Sequence, residues 1–525
     1  MLCRLMISVC VWLLANNLPL SAQRVMYCTP VNDRFSIRWE LAGRSGDYYW
    51  ILTTTRKRVI PRRGVETPPT EELHFDIYNS RMIQVHSVPA YPVSDSTIKE
   101  YFIGGDRYFD QLVLLSGYKK TTLVVQRYES DGILGAERKV IAELPFNEPG
   151  NSFLLIRSAD RRRILLLGFE FVASSAPRLH SILFDQNWRP VYSRVYSDPS
   201  ISQPFIQDDF AGYPLEDYDK GPVRLANNGQ WVMASPSRTN QNFLLLHFCD
   251  TGLAPLSREI GLTPSTTMED VDLSLNNENG EVVAGILSTM RYEVLKDVRV
   301  AHYSMVGRRI DFDSSYKLNT LVSGRIHNDN MVKENFVAVP GKGFILMKEY
   351  GRPYIEWNDD LGSNNFWDPA FLLTDNSIPE RGIIDPAVRD GYARYGILGA
   401  LGRTHDRGDL GLFYFPAGRE DSCWSGIFHK EQNTELSAQN LSYMMVPVKD
   451  KLVFLYNSYL RSMDSYASAS ATVLTPKGEV VPDEGVLFWQ FKMPLDFQQS
   501  RQISPNEVVV PYGEFHRRGF ALIRF

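Results

Sequence analysis

One phrase recurs along this chain: a strand-like run that ends on an aromatic or apolar residue, a short polar turn, and a second strand-like run. It stands at Val125-Gln126-Arg127-Tyr128-Glu129-Ser130-Asp131-Gly132 and at Ile182-Leu183-Phe184-Asp185-Gln186-Asn187-Trp188. It returns at Leu246-His247-Phe248-Cys249-Asp250-Thr251-Gly252, at His302-Tyr303-Ser304-Met305-Val306-Gly307 and at Thr472-Val473-Leu474-Thr475-Pro476-Lys477-Gly478. The first four copies lie roughly 50 to 65 residues apart, and self-similarity on that scale marks propellers and other stacked arrays. Each unit is too small to bury its own apolar face, so the units must stack, and that requirement limits the architecture more than any single residue does.

The local pattern agrees. Apolar and polar residues alternate in Glu72 to Ile77 and in Met82 to His86, as in half-buried strands. Leu112 to Leu115, Ile164 to Phe169, Leu244 to Leu246 and Leu452 to Tyr456 are continuous apolar runs. Such runs suit strands covered on both faces, as in the middle of a blade packed between neighbours. No stretch of four turns carries apolar residues at helical spacing. The expectation is an all-β chain: a β-propeller of about seven or eight four-stranded blades, closed by N- and C-terminal strands. Turns between third and fourth strands are expected near Asn79, Asp131, Asp185, Asp250, Gly307, Asp359, Gly418 and Lys477. Asn506 to Pro511 and Gly519 to Phe525 read as a hairpin that helps close the ring. Glu507 to Gly513 resembles Asn335 to Gly341, a segment expected on a first strand.

The N-terminus reads as an export signal. Arg4 precedes the apolar run Leu5 to Leu14, which is too short to span a bilayer, and Leu20-Ser21-Ala22 offers small residues before a cleavage. Residues 1–22 are expected to be removed after Ala22, leaving residues 23–525 as a single propeller domain in the periplasm or outside the cell. No later stretch approaches the roughly 20 consecutive apolar residues of a membrane helix. The formal net charge is −5, which lacks the basic footprint of a nucleic-acid binder. Cys28, Cys249 and Cys423 remain after cleavage; they allow one disulfide at most and read as plain buried or half-buried residues. No metal and no cofactor is expected from their spacing.

Tyrosine, phenylalanine and tryptophan are plentiful, at 26, 28 and 9 residues. They suit half-buried sheet surfaces and also protein or carbohydrate recognition. Two stretches break the rhythm: Ser197 to Gly221, rich in aspartate and aromatic residues, and Trp357 to Tyr395. Long connections on a rigid scaffold are where binding residues tend to lie. The second stretch supplies candidate ligand-binding residues Trp357, Trp367, Arg389 and Tyr392, and candidate catalytic carboxylates Asp385 and Asp390. Asp329 and Glu334, with Asp270 and Asp272, join the carboxylates because they fall near expected first-strand starts. Paired carboxylates flanking a bond are what glycoside hydrolysis needs.

Trp357-Asn358-Asp359-Asp360 departs from the Trp-x-Asn-Asp-Pro style motif of five-bladed glycoside hydrolases at its last position and lies mid-chain, and that family is set aside. The Gly-x-Ser-x-Gly elbow, the His-Glu-x-x-His helix, the phosphate-binding loop, the aspartate boxes of sialidases and the Gly-His to Trp-Asp signature of WD40 repeats are all absent. Through its architecture the chain resembles exported bacterial β-propellers. The expected function is a secreted binding or scaffold protein that recognises a protein or glycan of the cell envelope or beyond it. The alternative is a carboxylate-dependent enzyme acting on a glycan or peptide at the mouth of the channel.

Overall fold

A computed structural model describes the chain from Arg24 to Phe525 except residues 33–35, 58–69, 93–95, 133–137, 146–151, 172–175, 198–200, 203–220, 239–242, 251–255, 263–265, 291–295, 305–308, 318–330, 340–342, 351–352, 356–402, 408–409, 418–422, 429–431, 435–442, 449–450, 460–467, 475–479, 484–494, 498 and 515–516. The described residues form strands and turns without a helix.

The chain opens with β1 (Arg24–Tyr27) and β2 (Val31–Asn32). Blade 1 follows as β3 (Ser36–Ser45), β4 (Tyr48–Lys57), β5 (Thr70–Tyr78) and β6 (Gln84–Pro89). Blade 2 is β7 (Thr97–Gly104), β8 (Tyr108–Gly117), β9 (Lys120–Glu129) and β10 (Lys139–Leu144). Blade 3 is β11 (Ser152–Arg157), β12 (Arg163–Glu170), β13 (Arg178–Asp185) and β14 (Pro190–Ser197). Blade 4 is β15 (Val223–Leu225), β16 (Trp231–Pro236), β17 (Phe243–Cys249) and β18 (Leu256–Gly261). Blade 5 is β19 (Thr266–Asn276), β20 (Glu281–Met290), β21 (Lys296–Ser304) and β22 (Arg309–Lys317). Blade 6 uses β23 (Met331–Val339) and β24 (Gly343–Tyr350), is interrupted by β25 (Pro353–Ile355) and β26 (Arg403–Arg407), and resumes with β27 (Leu410–Pro416) and β28 (Trp424–Phe428). After β29 (Gln432–Thr434), blade 7 is β30 (Tyr443–Val448), β31 (Lys451–Tyr459), β32 (Ser468–Leu474) and β33 (Val480–Asp483). The chain ends with β34 (Arg501–Ser504), β35 (Glu507–Glu514) and β36 (Arg517–Arg524).

Each of the seven blades is a four-stranded antiparallel meander. A further sheet, ordered β34-β35-β36-β1, joins the two ends of the chain, and β2 adds to β36. This sheet stands between blades 7 and 1: one buried cluster holds Val446 and Val453 of blade 7, Val508 and Leu522 of the joining sheet, and Tyr49 and Ile51 of blade 1. The expected closure by both termini is therefore observed. The likeness of Glu507 to Gly513 with Asn335 to Gly341 does not mark equivalent places, because β23 is the first strand of its blade whereas β35 is second, after β34.

The apolar runs occupy the inner pair of strands and face two neighbours at once. In β12, Ile164 and Leu166 pack toward blade 2, while Leu165, Leu167 and Phe169 pack toward blade 4. In β4, Trp50 and Leu52 meet Phe102 and Phe109 of blade 2, whereas Tyr49 and Ile51 meet the joining sheet. Trp50 stacks on Phe109 with centroids 4.3 Å apart. Alternate side chains leave a strand on opposite faces, so an unbroken apolar run fills two interblade cores.

Seven of the expected turn positions fall between third and fourth strands: Asn79, Asp131, Asp185 and Asp250, and also Gly307, Gly418 and Lys477, which themselves lie outside the described residues. Asp359 does not. It lies outside the described residues, between β25 and β26, in the connection from the second to the third strand of blade 6. The end of the expected strand Met82 to His86 also shifts: Met82 has φ 59° and belongs to the turn, and β6 begins at Gln84.

Candidate functional site

Antiparallel strands place connections at two ends. Those from first to second and third to fourth strands leave one face of the disc, here the turn face. Those from second to third strands, and from one blade to the next, leave the other, the loop face. Neighbouring first-to-second turns confirm a shared face by bonding to each other: Gly46 N donates to Gly105 O, Asp160 N to Asn227 Oδ1, and Asn227 N to Asn277 Oδ1.

The two faces differ in length of chain. On the turn face the connections are as short as 46–47, 105–107 and 505–506, and the longest is 130–138. The loop face carries 58–69, 198–222, 318–330, 351–409 and 484–500. Both stretches singled out from sequence therefore leave this one face. In blade 6 the hairpin of β24 and β27 continues past the blade as β25 and β26, with Pro353 opposite His405 and Ile355 opposite Arg403, and β29 pairs with β26. Segment 356–402 springs from this extra three-stranded sheet. Trp357, Trp367, Asp385, Arg389, Asp390 and Tyr392 lie in it and outside the described residues, as does Asp329. Glu334 is on β23, opposite Lys348.

Beneath that extension, at the loop-face ends of blades 6 and 7, polar side chains sit inside the structure. Glu349 near the end of β24 and Asn457 on β31 are fully buried, and Lys348 nearly so. Asn335 Nδ2 donates to Tyr443 Oη across the two blades at 2.9 Å, and Asn457 Nδ2 donates to Leu495 O at 2.7 Å. Burial, and next the Glu349 carboxylate, push the Tyr443 hydroxyl above its ordinary value, while the Asn335 bond opposes them. Burying such groups costs free energy unless each is paired. Composition did not point to these residues, because a glutamate or asparagine in a strand carries no signal of depth.

Asp272 shows the opposite case, a carboxylate already committed to the framework. Its Oδ1 accepts from Gly221 N at 2.7 Å, Leu273 N at 2.8 Å and Arg224 Nη2 at 2.8 Å, and its Oδ2 accepts from Ala338 N. Arg224, Asp272 and Ala338 belong to blades 4, 5 and 6, so one buried group ties three blades. Burial pushes its pKa up, with Arg224 and the amides pulling the other way. Asp270 is half-buried and accepts from Val271 N at 2.8 Å.

Two more ionic groups pin other interfaces. Asp110 takes both arms of Arg127, each at 2.7 Å, and Trp188 Nε1 of blade 3 at 2.7 Å. Glu507 of the joining sheet meets Arg44 of blade 1 and Arg524, the latter at 2.7 Å. Charged side chains buried in this way are framework rather than site.

No group of three metal-ligating side chains occurs among the described residues. Cys28 and Cys249 are buried and Cys423 is exposed, and none of the three is in a disulfide. No helix of the described residues is long and apolar enough to cross a membrane.

No family model matches the chain, and no curated protein matches it in sequence. Among solved structures it is similar to the Dos1 propeller, at 9% identity over 95% of each chain with a TM-score of 0.39. It is similar to an oligogalacturonate lyase in complex with manganese at 7% identity, over 96% of this chain and 98% of that one, TM-score 0.35. A prolyl endopeptidase structure matches at 10% identity over 92% of this chain and 46% of that one, TM-score 0.35. No site residue is carried over from any of them.

Proposed function

We propose that the protein is an exported binding or scaffold propeller whose loop face engages a protein or glycan of the cell envelope or beyond it. Residues 1–22 act as the export leader, and residues 23–525 form one domain. The observation that carries the reading is the asymmetry of the disc. The turn face is tied together blade to blade by short turns, whereas the added chain length gathers on the other face, where recognition residues are grafted onto a rigid scaffold. Trp357, Trp367, Arg389 and Tyr392 are the proposed contact residues. Flat aromatic rings and a guanidinium suit sugar or peptide surfaces.

The test compares the leaderless protein with a variant in which residues 356–402 are replaced by a short Gly-Ser linker between Ile355 and Arg403. Both are applied to a glycan array and to crosslinking in native envelopes. Binding or a crosslink that disappears in the linker variant, with its melting temperature kept within a few degrees, supports the reading. Equal binding by both overturns it. An Asp385→Asn/Asp390→Asn variant is carried through a polysaccharide-depolymerisation assay beside them. Product release lost in that variant would replace the binding reading by catalysis through Asp385 and Asp390, with Asp329 and Glu334 the next carboxylates to test.

A further inference from the structure

The outer strand of blade 3 is β14. β14 bonds to β13 in unbroken register from Tyr192 opposite Leu183 to Ser197 opposite Arg178, and its other edge meets no strand among the described residues. Tyr192 and Tyr196 turn inward on blade 4; the Tyr192 hydroxyl accepts from Trp231 Nε1 at 2.9 Å, and the Tyr196 hydroxyl bonds Cys249 Sγ at 3.2 Å. The alternate residues Val191, Ser193 and Val195 lie on the opposite surface, with the valines 48% and 56% exposed.

Sheet proteins blunt open edges with bulges, prolines or repeated charge. In blade 2 the outer strand has a bulge between Val140 and Ala142, flanked by Lys139 and Glu143. In β14 the bulge and Pro190 come at the very start, and one charge, Arg194, follows. From Tyr192 to Ser197 the pairing with β13 has no further bulge, and no strand among the described residues covers the outer side.

We propose that β14 is a self-association surface that pairs antiparallel with β14 of a second copy, fusing the two third blades into one continuous eight-stranded sheet. The sequence of the strand argues for a second copy rather than another partner. A two-fold axis normal to the sheet keeps residues of one face opposite each other, so the register must be centred on a residue. Centring on Arg194 sets two guanidiniums directly opposite, which is destabilising. Centring on Ser193 sets Val191 of each copy against Val195 of the other, and Tyr192 against Arg194. Both exposed valines are then covered twice over, and each guanidinium faces an aromatic ring. A two-fold contact requires such a self-complementary patch. An edge-to-edge contact buries little area, so the dimer forms reversibly with concentration.

The experiment is sedimentation velocity on the purified protein over a wide concentration range, with Val195→Lys alongside. The expected result is a concentration-dependent dimer in the unaltered protein and its loss in Val195→Lys at unchanged melting temperature. The register is read by oxidation in a Cys423→Ser background, which removes the exposed thiol. Ser193→Cys lies on the two-fold axis and should link two copies through itself. Val195→Cys should not, because its symmetry mate is displaced by four residues, about 13 Å along the strand. A monomer at every concentration, a dimer indifferent to Val195→Lys, or a Ser193→Cys protein that links no better than Val195→Cys would each overturn the proposal.

Discussion

Asp272 and Gly343 illustrate how much rests on single residues that no local pattern marks. Asp272 is surrounded by donors from three blades, and losing it strands the Arg224 guanidinium in the interior. Removing one partner of a buried pair costs about 3–5 kcal/mol, so Asp272→Ala should lower the unfolding free energy by that order, read by urea titration. An Arg224→Met/Asp272→Leu pair should cost less than the single change, because it removes both charges together. Gly343 opens β24 at φ 143°, where a Cβ would run into the Phe415 carbonyl of the paired strand β27. Gly343→Ala should therefore destabilise blade 6 and lower the melting temperature, whereas a glycine kept only for turn flexibility would tolerate alanine. In sequence both residues look ordinary: an aspartate near an expected first strand and a glycine in a turn.

The joining sheet decides most at the scale of the element. β36 lies between β35 and β1 and buries Phe520, Ala521, Leu522 and Ile523 almost completely. Fully burying a large apolar side chain contributes about 1.5–3 kcal/mol. Deleting Gly519 to Phe525 therefore removes a share comparable to the whole stability of about 5–15 kcal/mol expected of a folded protein. The truncated protein should fail to show a cooperative melt. Deleting Arg24 to Tyr27 should cost less, since β1 is the outer strand and Val25, Met26 and Tyr27 are only half-buried. Equal loss in the two deletions would mean that the order of strands in this sheet is wrong. The interruption of blade 6 is the other lesson at this scale. The polar sequence around Asp359 has the composition of a blade turn, so turn residues alone count it as one. The long excursion between β25 and β26 was legible only as a break in rhythm, and its place on the loop face follows from strand order.

For the molecule as a whole, buried tyrosines predict how stability responds to alkali. Burial pushes Tyr27 from 10.0 up to about 12, and Tyr78, Tyr101, Tyr128, Tyr443 and Tyr512 are pushed up for the same first reason. The folded state then holds protons that the unfolded state has released. Stability is therefore fully present below the ordinary tyrosine value and falls as pH rises from 10.0 toward 12 through the Tyr27 window. Denaturant midpoints should stay level up to about pH 9 and drop steeply above the ordinary tyrosine pKa of about 10. A midpoint that does not move across that range would mean the hydroxyls are not buried.

The sequence by itself determined that this chain is a repeated β structure with closed ends. Period-2 alternation, two-sided apolar runs and the recurring strand-turn phrase are local properties, and every strand must satisfy them before any blade meets another. Only the tertiary structure decided which face carries the added chain, that Asp272 is a pin between three blades, and that Glu349 and Asn457 lie buried beneath the blade 6 extension. Those facts depend on which strand ends come together and on what surrounds a side chain after packing. Charge burial and partner choice arise from contacts between residues distant in sequence, and a polar residue in a strand looks the same in sequence whether it faces water or the interior.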